Sequence, residues 1–165
     1  MSIVTGSETA PSGVPSRRSD GDAPAAVDRS RHATTWLWEQ GGKPEREAVR
    51  HWVEGGWQGL TRAELASRVR AVAAGVVAAG VGAGDRVVLM GRTSLEWTVA
   101  DLAVLAAGAV TVPVYETSSA EQCRFILASS DARLALADGE SCRARLEEAW
   151  AGEGAVRALD GPGLD

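Results

Sequence analysis

The sequence predicts an α/β fold: a partial parallel sheet with crossover helices, preceded by a disordered tail and a short β-hairpin. Three observations carry this. From residue 86 onward, short apolar runs alternate with stretches of helical period. The first run, Arg86–Met90 (RVVLM), is almost wholly apolar, as a strand covered on both faces must be. The helical stretches open on a Ser or Thr with a Glu three residues later, the pattern in which side chain and backbone satisfy each other's free N–H groups. Strand–helix–strand repeated three times implies parallel strands joined by helical crossovers.

The elements follow in chain order. Residues 1–33 read as a disordered tail, because Gly, Pro, Ser and Asp break every short apolar stretch. The tail has neither the apolar core of a secretory signal nor the acid-poor composition of a transit peptide. Residues 34–165 read as one folded unit. Trp36, Leu37 and Trp38 lie in a short helical stretch. Ala48–Trp52 and Trp57–Leu60 flank Glu54-Gly55-Gly56 and read as a hairpin. Thr61 and Glu64 cap a helix whose Leu65, Val69, Val72 and Val76 recur on one face, with Arg62, Arg68 and Arg70 off it. Gly80, Gly82 and Gly84 end it. After strand 86–90, Thr93 and Glu96 are expected to cap helix 95–107, with Leu95, Val99, Leu102 and Leu105 inward. Strand 109–114 contains Pro113, which suits a strand end or a sheet edge. Ser118 and Glu121 are expected to cap helix 119–129, which carries Cys123, Ile126 and Leu127. Strand 133–137, a helix over about 139–150 and a strand over 155–159 complete the series. Asp160–Asp165 is a turn sequence, which gives the sheet the look of an interrupted one.

Composition excludes several functions. The 165 residues carry a net charge of -5, against binding of nucleic acid by phosphate neutralisation. No apolar run reaches the roughly 18 residues a membrane span needs. Two cysteines, Cys123 and Cys142, do not make a disulfide framework, which fits a cytoplasmic protein. Lys43 is the one lysine; the Arg, Ala, Gly and Val bias reads as a GC-rich genome rather than chemistry.

Searches for catalytic patterns return little. Gly42-Lys43 is followed by Pro44, which has no N–H to offer a phosphate. Gly80-Val81-Gly82-Ala83-Gly84 follows a helix and precedes a strand, the reverse of a dinucleotide fingerprint. His32 and His51 are too isolated to make a metal site. Cys123 reads as core. Cys142 sits near a helix start, where a thiolate would be favoured, but without a histidine nearby in sequence. No catalytic and no metal-binding residue is therefore assigned. Two loops stand out beyond strand C-termini, where open α/β sheets bind ligands. One is Gly91-Arg92-Thr93-Ser94; the other is Tyr115-Glu116-Thr117-Ser118-Ser119. Thr93 and Ser118 are fully explained as helix caps, and nearness to a ligand is an additional reading.

Five stretches carry a family resemblance. They are Leu60-Thr61-Arg62-Ala63-Glu64-Leu65, Gly80 to Val87, Glu96 to Ala103, Gly108 to Thr117, and Glu116 to Gln122. Across about residues 34–160 the chain resembles the AMP-forming acyl-CoA synthetases, and is most similar to the N-terminal part of bacterial long-chain fatty-acid–CoA ligases. At Thr93 many members have Asn; the long-chain subgroup often has Thr. The resemblance implies a two-step reaction: carboxylate and ATP give acyl-adenylate and pyrophosphate, then the CoA thiol attacks. It implies ATP, Mg and CoA for the complete enzyme but no cofactor held by this chain, and small-molecule substrates (fatty acid, ATP, CoA) only in that complete enzyme. It also implies that residues 34–165 are the truncated N-terminal portion of an AMP-binding domain. Tyr115, Glu116, Thr117 and Ser118 are implied near the substrate or CoA entrance. The family's Ser/Thr/Gly-rich phosphate loop, adenine motif, ribose-binding Asp and catalytic Lys have no counterpart here.

Two functional readings follow. In the first, the chain is the opening piece of a fatty-acyl-CoA ligase, inactive alone, with apolar surface left exposed. In the second, it is a free-standing α/β binding or regulatory module that pairs with a full-length ligase. A flavodoxin-like or receiver-like domain is a third, weaker fit, since no acid clusters with Asp85 at the strand ends.

Overall fold

Strands that alternate two apolar faces need cover on both sides, and the molecule supplies it with two helical layers. The computed structural model describes residues 33–39, 43–150 and 154–159. The expected tail, apart from Ala33, and the closing turn sequence 160–165 lie outside the described residues. The elements are α1 (Thr35–Trp38), β1 (Glu47–Val53), β2 (Gly56–Thr61), α2 (Arg62–Ala78), β3 (Arg86–Met90), α3 (Leu95–Ala106), β4 (Val110–Val114), α4 (Ala120–Ser130), β5 (Ala132–Ala137), α5 (Gly139–Ala149) and β6 (Ala155–Ala158).

β3 to β6 form a parallel sheet in the order β4-β3-β5-β6. Its two faces are read off β3 and β5. Val87, Leu89, Leu134 and Leu136 pack with Val76 of α2 and Ala100 and Val104 of α3. Val88, Met90, Ala135 and Ala137 pack with Cys123 and Leu127 of α4 and Cys142 and Leu146 of α5. Each fully buried Val or Leu of this sandwich is worth about 1.5–3 kcal/mol of transfer free energy. A further layer joins Leu37 and Leu60 to Leu65, Val69, Leu95, Val99 and Ala103, seating α1 and the hairpin on α2 and α3. Pro113 lies in β4, an edge strand, as its missing N–H requires.

The hairpin pairs β1 and β2 antiparallel, with Trp52 opposite Trp57. The rings meet edge to face at 5.6 Å. Gly55 turns the chain at φ 101°, a conformation that favours glycine.

Three sequence expectations need correction. The Thr61/Glu64 box is present, but the next two caps fall one residue later. Ser94, not Thr93, caps α3 by accepting from the Trp97 N–H at 3.0 Å. Ser119, not Ser118, caps α4, in a reciprocal box with Gln122 rather than Glu121. Both sites present two consecutive hydroxyl residues, and sequence spacing alone does not choose between them. On α3 the fully buried positions include Ala100, Ala103 and Val104, whereas Leu102 and Leu105 are half-buried. Ala100 and Ala103 are fully buried, and Leu102 packs from the margin against the cluster of Leu37, Leu60 and Leu65.

Candidate functional site

The β3 connection leaves toward the α2/α3 layer, whereas those of β4 and β5 leave toward the α4/α5 layer. Because β3 lies between β4 and β5, the chain diverges around its C-terminal end. Such a switch point is where open α/β sheets form a crevice. On the α4/α5 side the end is an open depression between the β4–α4 loop and the start of α5. Glu116, Ser118, Asp138, Ser141 and Arg145 are among its lining residues.

On the β5 side the crevice is closed tightly. The Asp138 N–H donates to the Met90 carbonyl at 2.8 Å. A methyl group at Gly91 would lie 2.3 Å from Asp138 Cβ. Glycine is required at that position by close approach, not by a positive φ.

The structure brings Tyr115, Glu116, Thr117 and Ser118 together on the loop after β4. Tyr115 is 82% exposed, Glu116 and Thr117 are exposed, and Ser118 is half-buried. The Ser118 N–H donates to the Tyr115 carbonyl at 3.0 Å. Arg92, from the loop after β3, approaches the Glu116 carboxylate at 3.6 Å. Both side chains are substantially exposed, so the pair is weak. Arg145 of α5 reaches the same loop. Its Nη1 donates to the Glu116 carbonyl and, at 2.9 Å, to the Ser118 carbonyl. Sequence reasoning missed Arg145, because a contact 27 residues away leaves no local signal. Asp138 and Gly139 were also missed; Gly139 after an apolar strand was the available hint.

Neither cysteine is a candidate nucleophile. Burial pushes both thiols up, and the smaller opposing pull of the Arg145 cation does not reverse it. The position of Cys142 near the start of α5 is thus outweighed by its environment. His51 is half-buried in β1 and is not among the residues lining the depression. Among the described residues no group of three or more His, Cys, Asp or Glu could hold a metal ion. The depression also does not suit a triphosphate. Its lining includes Glu116, Asp138 and Glu140, and its one cation, Arg145, already serves backbone carbonyls. No step through ATP or Mg is therefore derived from these residues.

A second hollow lies at the opposite ends of the strands, between Arg86, Asp131, Arg133 and Trp150. Two of its arginines, Arg86 and Arg133, tie separate segments of the fold together. Arg86 donates to the Ser130 carbonyl at 2.7 Å and meets the Asp131 carboxylate at 2.7 Å. Arg133 donates to the Gly80 carbonyl at 2.8 Å. Among the described residues no helix is long and apolar enough to cross a membrane.

A parallel α/β sheet with a switch point and a polar loop cluster at its carboxyl end defines the class as an open, doubly covered α/β domain. The family is then given by direct comparison. The model of the AMP-binding enzyme family matches residues 37–162, and the chain belongs to that family. A curated relative, the long-chain-fatty-acid–CoA ligase FadD15 of Mycobacterium bovis, is 47% identical over 98 residues. That match covers 59% of this chain and 16% of the relative, so the chain spans about a sixth of the relative's length. Among solved structures, VinN is similar at TM-score 0.65 and 25% identity, over 75% of this chain and 31% of VinN. MatB from Rhodopseudomonas palustris is similar at TM-score 0.64 and 25% identity, over 78% of this chain and 26% of MatB.

Proposed function

We propose that residues 34–165 form the N-terminal portion of the AMP-binding domain of a long-chain fatty-acid–CoA ligase, acting on fatty acid, ATP and CoA in the cytoplasm. The reaction gives acyl-CoA, AMP and pyrophosphate by way of an acyl-adenylate. The observation that carries this is the 47% identity to FadD15 over 98 residues of the chain. In this reading Tyr115, Glu116, Thr117 and Ser118 face the substrate or CoA entrance of the complete enzyme.

Residues 1–165 alone are inactive in this reading. Adenylation releases pyrophosphate, whose charge needs preorganised cations and N–H groups around it. The 165 residues contain one lysine and no Ser/Thr/Gly-rich loop closing on it. ATP, Mg and CoA are held by the complete enzyme.

The test is long-chain acyl-CoA formation by the product purified from its own cells, with the isolated 165-residue polypeptide beside it. Activity in the first and none in the second is expected. Activity in the isolated polypeptide would overturn the inactivity. No activity in the native product, with stable capture of a separate full-length ligase, would replace this reading with that of a pairing module.

A further inference from the structure

We propose that Arg145 is a positioning residue that sets the backbone shape of the Tyr115–Ser118 loop from across the depression. Its bearing on substrate binding rests on the ligase reading above; its contact with the loop does not.

The loop has little else to hold it. Its internal backbone bond is Ser118 N–H to the Tyr115 carbonyl, and α4 begins only with the Ser119 cap. Between these lie the Glu116 and Ser118 carbonyls, on either side of exposed Thr117. The Arg145 Nη1 donates to both. Its Nη2 lies 3.4 Å from Ser141 Oγ, one turn earlier on α5, which steadies the guanidinium. Charge-assisted donation to carbonyls is about twice as strong as neutral hydrogen bonding. The competing tether, Arg92 to Glu116, joins two exposed side chains at 3.6 Å and contributes little. A planar guanidinium presents several donors in fixed directions, whereas an ammonium is one compact charge. A lysine at this position can therefore restore part of the anchoring but not all.

Loss of Arg145 should act locally. The Ser119–Gln122 box keeps α4 capped, and the apolar contacts of β3 and β5 do not involve the guanidinium. The experiment is hydrogen exchange on the full 165-residue chain and on its R145A, R145K and R92A variants. In R145A, exchange at residues 115–118, read at the bonded Ser118 amide, should rise about tenfold, the scale of losing hydrogen bonds to a charged group. Exchange in β3 and β5 should stay unchanged. R145K should recover part of the protection, and R92A should change it by less than about threefold.

Unchanged exchange at 115–118 in R145A would overturn the proposal. A rise matched in β3 and β5 would also overturn it, since Arg145 would then be a general stabiliser. So would R145K behaving like the parent, because a stem and a compact charge would then suffice without the guanidinium's paired donors. A native product without ligase activity, alongside the expected exchange pattern, would defeat the ligase reading and leave the anchor standing.

Discussion

An alanine at Gly91 would place its methyl carbon 2.3 Å from Asp138 Cβ and 3.3 Å from Asp138 Cγ. Carbon atoms in contact prefer about 3.5–4.0 Å, so the loops after β3 and β5 must separate by more than about 1 Å. The Asp138 N–H to Met90 carbonyl bond at 2.8 Å resists that movement, as does the β3–β5 ladder behind it. Gly91→Ala should therefore cost about 1–3 kcal/mol, the range for overpacking a closed contact. Urea unfolding followed by tryptophan fluorescence measures it. With a slope of about 2 kcal/mol per molar urea, a loss of about 2 kcal/mol lowers the midpoint by about 1 M. The partner test is Asp138→Gly, which removes the obstructing Cβ. In that background Gly91→Ala should cost at least about 1 kcal/mol less, a coupling expected of touching residues. A Gly91→Ala midpoint equal to the parent's, or a cost undiminished by Asp138→Gly, would refute the reasoning.

Three further outcomes are expected. The Glu64 carboxylate accepts from the Thr61 N–H, and also from its hydroxyl, each at 2.8 Å. These bonds hold the carboxyl below its ordinary value of 4.5. Its stabilisation is thus present above that value and lost as pH falls through the lowered one. The stability difference between parent and Glu64→Gln should be flat near neutrality and vanish in acid; a difference that grows in acid would contradict this. Burial of Cys123 and Cys142 should make both thiols slow toward a disulfide reagent at pH 8, and fast only after unfolding; rapid native labelling of Cys142 would count against its placement. Finally, Phe125 on α4 and Tyr115 just after the edge strand β4 are 72% and 82% exposed. The isolated chain should bind a hydrophobic dye or self-associate, and a dye-silent monomer would argue against a surface that belongs under further protein.

The parallel sheet was legible because its signal is local. RVVLM in β3 announces burial on both faces, and Pro113 announces an edge. Element boundaries came within a residue or two of the observed ones for the same reason. The caps at Thr93 and Ser118 were misassigned because each has a second hydroxyl residue beside it, and the backbone geometry that selects one is not local to the motif. On α3 the inward position of Leu102 is found at the margin of the core, whereas Leu105 lies outside it, because helical spacing gives a broad face and the buried strip runs through Ala100, Ala103 and Val104. The loop Tyr115–Ser118 was found from its place after a strand. Arg145 and the Gly91–Asp138 contact were not, because each depends on which strands become neighbours.

The intact mass of the native product, read with fatty-acid-dependent exchange between ATP and pyrophosphate on the same sample, tests most directly whether residues 34–165 open a larger adenylating enzyme. A mass well above 17.2 kDa together with exchange is expected. A stable 17.2 kDa species without exchange would contradict the ligase reading.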